Sequence, residues 1–177
     1  MSKSKNAVRY TALVGMMAAT VECAKLALAA IPNVEAVSLL IALYSYVFGW
    51  AGVLAAVVFV CIEPLVWGFG TWLVSYLIYW PILAVLFLFL GKVKIKNRFV
   101  ITGMITLSTF LFGILTSLVD IGLFSGSFDR FFYRFGIYYA RGFVFYVVHI
   151  TSNLIIFLLL FPILVKVLKD IKVKIFK

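Results

Sequence analysis

Long apolar segments separated by short polar ones run the length of the sequence. A helix needs about 20 apolar residues to cross the roughly 30 Å hydrocarbon layer of a membrane. Cutting the chain on this measure predicts six transmembrane helices, at residues 8–30, 36–49, 51–67, 71–90, 99–123 and 140–165. Residues 48–52 separate the second from the third, which as a single helix would be too long for one crossing. We therefore predict an all-α integral membrane protein with one six-helix membrane domain, residues 1–177.

Most of the positive charge lies beside the predicted helices rather than within them. Twelve of the 16 Lys and Arg residues fall in three clusters: Lys3, Lys5 and Arg9; Lys92, Lys94, Lys96 and Arg98; and Lys166, Lys169, Lys172, Lys174 and Lys177. Loops rich in Lys and Arg stay on the cytoplasmic side of a membrane. Both termini are therefore predicted to be cytoplasmic, with outer loops at residues 31–35, 67–70 and 124–139. The last, which includes Asp129, is predicted to be an aromatic loop in the interface.

Composition excludes a soluble domain and narrows the function. Hydrophobic residues make up 66% of the chain and the mean hydropathy is +1.19, whereas soluble domains are about half apolar. The net charge of +10 lies beside apolar segments, which favours lipid headgroups over nucleic acid as its partner. The sequence has no phosphate-binding loop, no HExxH zinc motif and a single His. We therefore expect no catalytic residues, no metal, no cofactor and no ATP hydrolysis.

Polar and aromatic side chains near the outer ends of the predicted helices are the candidate substrate contacts. Ionisable groups inside a membrane are costly and usually mark function. The set comprises Glu35, Glu63, Trp67, Trp72, Tyr76, Asp120, His149 and Asn153. Each has a structural alternative, such as a helix cap for Asp120 and an interfacial belt for the Trp and Tyr residues. Glu22 and Lys25, three residues apart on one helix, either pair with each other or contact the ligand.

Two periodic patterns point to a binding pocket for a flat molecule. Tyr79 and Trp80 lie about 12 Å beyond the start of their helix, deeper than an interfacial belt requires, and favour an aromatic wall. Tyr146, His149 and Asn153 lie within roughly 100° on one helical face. Aromatic walls combined with carboxylates favour a flat, neutral or cationic heterocycle as the ligand.

Small side chains follow one face of the first predicted helix, at Ala12, Gly15 and Ala19. Small residues spaced four apart allow another helix to approach closely in a membrane. The sequence leaves open whether this strip serves packing within the chain or docking of a partner subunit.

Six spans, cytoplasmic termini, the small-residue strip and the segment Ile31, Pro32, Asn33, Val34, Glu35 together resemble the substrate-binding S components of energy-coupling factor (ECF) vitamin transporters. The resemblance extends over the whole chain. It implies capture of a vitamin or related micronutrient at the outer face of the bacterial plasma membrane. It also implies assembly with a transmembrane T component and two ATPase subunits. In that family two alanines four apart contact the partner, and here Gly15 and Ala19 occupy the corresponding place.

Two other functions remain open at the level of sequence. One is a membrane enzyme acting on a lipid or prenyl substrate, and the other is a membrane scaffold without transport activity. An enzyme turns over substrate alone, whereas an S component binds its ligand tightly and co-purifies with an ATPase complex.

Overall fold

The computed structural model describes residues 3–32, 34–124 and 130–176, which form α-helices and short connections and no strands. In chain order the helices are α1 (Lys3–Leu28), α2 (Val37–Phe48), α3 (Trp50–Trp67), α4 (Trp72–Lys92), α5 (Arg98–Phe124), α6 (Phe131–Leu159) and α7 (Phe161–Phe176). The predicted all-α class is confirmed.

Five helices within the described residues are long and apolar enough to cross a membrane, as expected of a multi-pass membrane protein. They are α1, α3, α4, α5 and α6. The exception among the predicted spans is α2, whose 12 residues rise only about 18 Å. Gly49, with φ of +67°, lets the chain reverse between α2 and α3 within a single residue.

The predicted outer loop at residues 124–139 is wrong from residue 131 onward, because α6 begins there. Phe131, Phe135 and Tyr139, each four residues apart, stack along one side of the helix with ring centroids 6.3 and 5.8 Å apart. Aromatic pairs at this spacing stabilise a helix. Asp129 lies outside the described residues.

The predicted sixth span, residues 140–165, is interrupted after Leu159, and a separate helix begins at Phe161. The break precedes Pro162, which has no N–H to donate to a carbonyl in the preceding turn and is favoured near a helix start. In α7, Phe161 and Val165 are buried, whereas Ile163, Val167 and Ile171 are exposed. The last helix is therefore amphipathic.

The centre of the bundle is α2, in which ten of the 12 residues are buried. Two glycines on neighbouring helices allow this packing. A Cβ at Gly52 of α3 would overlap the backbone of Tyr44 and Ser45, and one at Gly91 of α4 would overlap the carbonyl of Tyr46. The backbones of α3 and α4 therefore lie directly against α2.

The three basic clusters converge at one end of the bundle, which we call the basic end. Arg9 donates a hydrogen bond to the carbonyl of Ile175 at 3.4 Å, which joins the first cluster to the last. Lys172 donates to the carbonyl of Val47 at 2.6 Å. Tyr46 donates to the carbonyl of Ile95, within the middle cluster, at 2.8 Å. The opposite end, where residues 29–36 connect α1 to α2, is called the loop end.

The close contact at Gly52 yields a stability prediction. Gly52→Ala is expected to destabilise the protein by about 1 to 3 kcal/mol, because the added methyl group forces α3 away from α2. The matched control is Gly103→Ala, since a Cβ there meets no atom within 4 Å and alanine favours the helix. Thermal unfolding in detergent should show a lower melting temperature for the first variant only. Equal melting temperatures would contradict the α2–α3 packing.

Candidate functional site

A cavity of about 200 Å³ lies at the loop end, between the connecting segment and α1, α4, α5 and α6. Ile31, Pro32, Val34 and Glu35 of the connecting segment contribute much of one wall. The side chains that give the cavity its chemistry are Lys25, Glu35, Tyr76, Trp80, Phe112 and His149. One ammonium group, a carboxylate, an imidazole and aromatic rings thus surround one space.

Glu35 fastens the connecting segment to two helices. One carboxylate oxygen accepts a hydrogen bond from the backbone N–H of Ser38 at 2.8 Å, in the first turn of α2. The other lies 3.1 Å from Nε2 of His149 and accepts from the amide of Asn153 at 3.3 Å. Burial raises the pKa of Glu35, but the hydrogen bonds and charge of His149 and the hydrogen bonds of Ser38 outweigh it, so the pKa lies below its ordinary value. The ionised carboxylate is the form that this site holds.

Asn153, on α6, supports the cavity from below and is fully buried. Its amide nitrogen also donates to Oγ1 of Thr109 on α5 at 3.1 Å. Its side-chain oxygen has no hydrogen-bond partner among the described residues. Tyr146, from the same predicted polar face, instead lies against α5, with its hydroxyl 3.2 Å from that of Ser117. The polar face of α6 therefore divides between the cavity and the α5 interface.

Lys25 occupies an aromatic cage. Its ammonium group donates to the fully buried Glu63. It also lies 5.0, 5.8 and 5.2 Å from the ring centroids of Trp67, Trp72 and Tyr76. These distances are within the range of cation–π attraction. Of the two roles open to Lys25, the structure shows an ion pair, but with Glu63 of α3 rather than with Glu22 of its own helix.

Glu22 adds a second carboxylate behind the cage. It is 8% exposed and interacts electrostatically with Glu63. Neither of its oxygens has a hydrogen-bond partner among the described residues, and one oxygen of Glu63 is likewise unpartnered. Two buried carboxylates thus lie near one ammonium group, which makes this cluster dependent on Lys25.

An aromatic wall of Tyr76, Trp80 and Phe112 bounds the cavity on the side of α4 and α5. Tyr76 packs edge-to-face on Trp80 at 5.5 Å, and Trp80 lies 6.1 Å from Phe112. Trp80 is only 3% exposed, so it does not belong to an interfacial belt. Its indole N–H has no partner among the described residues. The wall offers a flat apolar surface to the cavity.

The structure separates the predicted contacts into groups. Glu35, Tyr76 and His149 line the cavity, and Asn153 and Glu63 support lining residues from behind. Trp67 and Trp72 reach Lys25 but not the cavity. Asp120 accepts a hydrogen bond from Thr71 at 2.8 Å, away from the cavity, and so links α5 to the start of α4. Phe112 was missed, because nothing in its sequence context distinguishes it from the other apolar residues of α5.

The small-residue strip on α1 lies on the surface of the chain. Ala12, Gly15 and Ala19 are exposed, whereas Val14, Met17, Ala18 and Val21 on the other face are buried. A Cβ at Gly15 would meet no atom within 4 Å. The strip is therefore not used for packing among the described residues.

Comparison of the chain with protein-family models, curated proteins and solved structures found no match. Within the described residues, no group of three His, Cys, Asp or Glu side chains is placed to hold a metal ion. The site is therefore interpreted from its own geometry.

The Lys25 cluster yields the second prediction. Lys25→Met is expected to destabilise the protein by about 3 kcal/mol, because it leaves Glu63 and Glu22 buried without a counter-charge. Adding Glu63→Gln should restore part of that loss, since one of the two unpaired charges is then removed. Lys92→Met, which removes an exposed Lys, is the control. Melting temperatures of the wild-type protein and of the single and double variants measure the coupling between Lys25 and Glu63. Additive losses in the double variant would argue against this ion pair.

Proposed function

We propose that this protein is the substrate-binding S component of an ECF-type transporter, which captures a vitamin or related micronutrient for ATP-driven uptake. The observation that carries the proposal is the enclosed cavity beneath residues 31–35, where Glu35 meets His149 opposite an aromatic wall. This connecting segment would act as a lid. The resemblance noted from the sequence implies ligand capture at the outer face, where residues 31–35 are predicted to lie.

The proposed topology has six crossings and cytoplasmic termini, with the loop end facing outward. Its support is the convergence of the three basic clusters at one end, which follows if each helix up to α6 reverses direction. The short α2 is tolerated because its neighbours shield it from lipid. The bacterial plasma membrane is the proposed location.

The proposed substrate is a small, flat heterocycle that is neutral or cationic. A cavity of about 200 Å³ holds little more than one or two rings. Tyr76, Trp80 and Phe112 would stack against the ring system. Three carboxylates, Glu22, Glu35 and Glu63, lie in and behind the cavity, with Lys25 paired to Glu63 and His149 beside Glu35. This balance disfavours an anionic substrate.

Energy would come from partner subunits, namely a transmembrane T component and two ATPases. The exposed strip of Ala12, Gly15 and Ala19 supports docking, because it offers a small-residue face that the chain does not use itself. It lies toward the basic half of α1, away from the cavity. Binding and docking are therefore expected to be separable by mutation.

The test measures ligand retention and assembly in the same variants. Native mass spectrometry identifies any small molecule that co-purifies with the protein, and that compound is then titrated. Glu35→Gln and Tyr76→Leu should each lose about 1 to 3 kcal/mol of affinity but still assemble with the ATPase complex. Gly15→Leu and Ala19→Leu should bind normally but fail to assemble, because a bulky side chain holds the two helices apart.

Matched controls lie outside both surfaces. Asp120→Asn and Tyr133→Leu control for the cavity variants, and Gly103→Leu and Ala140→Leu for the strip, since all four positions are away from the cavity and α1. Turnover of a lipid or prenyl substrate by the isolated protein would instead establish an enzyme. Absence of both a ligand and an ATPase partner would contradict the proposal.

Sidedness is a separate prediction. After replacement of Cys23 and Cys61, a cysteine at Phe69, which is 83% exposed between α3 and α4, should react with a membrane-impermeant maleimide in intact cells. A cysteine at Lys94 should react only after permeabilisation. The reverse pattern would invert the topology, and labelling of both positions in intact cells would exclude six crossings.

A further inference from the structure

A second cavity, of about 310 Å³, lies at the basic end between the start of α5, the end of α2 and the break between α6 and α7. Four cationic side chains line it: Lys96, Arg98, Lys166 and Lys169. No acidic residue does. The ion pairs among the described residues are those of Lys25 with Glu63 and Glu35 with His149, so none of the four cations is neutralised by one. Their positive potentials therefore add at the cavity.

The floor of this cavity is apolar. Phe157, Phe161 and Ile101 line it and are otherwise buried, at 0%, 2% and 4% exposure. A freely soluble inorganic anion has nothing to place against such a floor. A molecule that carries a phosphate and a hydrocarbon portion matches both halves of the lining.

The position of α7 indicates the source of that molecule. Ile163, Val167 and Ile171 form an exposed apolar stripe at four-residue spacing, while Lys166 and Lys169 on the same helix line the cavity. A basic amphipathic helix of this kind lies in the membrane interface, with its apolar side among the acyl chains. The mouth of the cavity is thus at the level of phospholipid headgroups.

We propose that this cavity binds the headgroup phosphate of one anionic phospholipid, with the glycerol and upper acyl chain against its apolar lining, where Pro162 is partly exposed. Basic pockets between membrane helices are suited to such headgroups. The bound lipid would join the middle basic cluster to α7. The site is independent of the proposed substrate cavity, which lies at the opposite end of α2.

The test uses purified protein in detergent with defined lipids, followed by native mass spectrometry. One phosphatidylglycerol per chain should be retained, and phosphatidylcholine should bind at least about tenfold more weakly. The triple variant Arg98→Gln, Lys166→Gln, Lys169→Gln should lose at least about tenfold in apparent affinity for phosphatidylglycerol. The matched control, Lys92→Gln, Lys94→Gln, Lys174→Gln, removes the same charge outside the cavity and should change it less than about twofold.

Three results would overturn the proposal. Equal retention of phosphatidylcholine would show that charge does not select the lipid. Equal weakening by both triple variants would show diffuse attraction rather than a site. Displacement of the lipid by millimolar inorganic phosphate or glycerol phosphate would identify a soluble anion as the occupant. Melting temperatures measured without lipid establish that both triple variants are folded. Added phosphatidylglycerol should raise the melting temperature of the control variant but not that of the cavity variant.

Discussion

Burial of α2 is the constraint on which the rest of the structure depends. The helix is too short to cross a bilayer unaided, and its polar ends therefore need partners inside the protein. At one end Glu35 accepts the Ser38 N–H. At the other end, the Lys172 ammonium group donates a hydrogen bond to the carbonyl of Val47. The hydroxyl of Tyr46, on α2, donates to the carbonyl of Ile95. Close packing against Gly52 and Gly91 surrounds the middle.

Both cavities follow from the ends of this helix. Because α2 stops well short of its neighbours in length, space remains above and below it between the longer helices. At the loop end the chain fills part of that space with residues 31–35 and leaves a polar, aromatic cavity. At the basic end the break at Pro162 turns α7 aside and leaves a cavity lined by Lys and Arg. One buried helix thus separates two sites of different chemistry.

Charged side chains are balanced differently at the loop end and at the basic end of the bundle. Near the loop end, buried carboxylates are balanced by the single ammonium group of Lys25, which is further stabilised by three aromatic rings. Glu35 lies apart from this cluster and interacts with His149. At the basic end the cations are solvated or face the cavity, so no such internal balance is needed. The two faces of α1 also differ, since one packs against the bundle and the other is exposed.

Much of the architecture is determined by the sequence alone, because hydrophobic length and charge position act locally. Apolar runs of sufficient length specify five of the helices, and the break at Gly49 separates α2 from α3. Clusters of Lys and Arg mark one end of the bundle. The candidate residues Glu35, Tyr76 and His149 were also identifiable, since polar groups within apolar helices are costly unless used.

Only the tertiary structure decided which side chains meet at the site, because this depends on which faces of different helices lie against each other. Pairing of Lys25 with Glu63 rather than Glu22 required α3 to lie beside α1. Phe112 lines the cavity, whereas Asp120, about two turns further along α5, accepts a hydrogen bond from Thr71. Residues 131–139 form helix instead of loop, with Phe131, Phe135 and Tyr139 stacked along one face. A linear pattern records spacing along one helix, but not the contacts between helices that turn such spacing into a site.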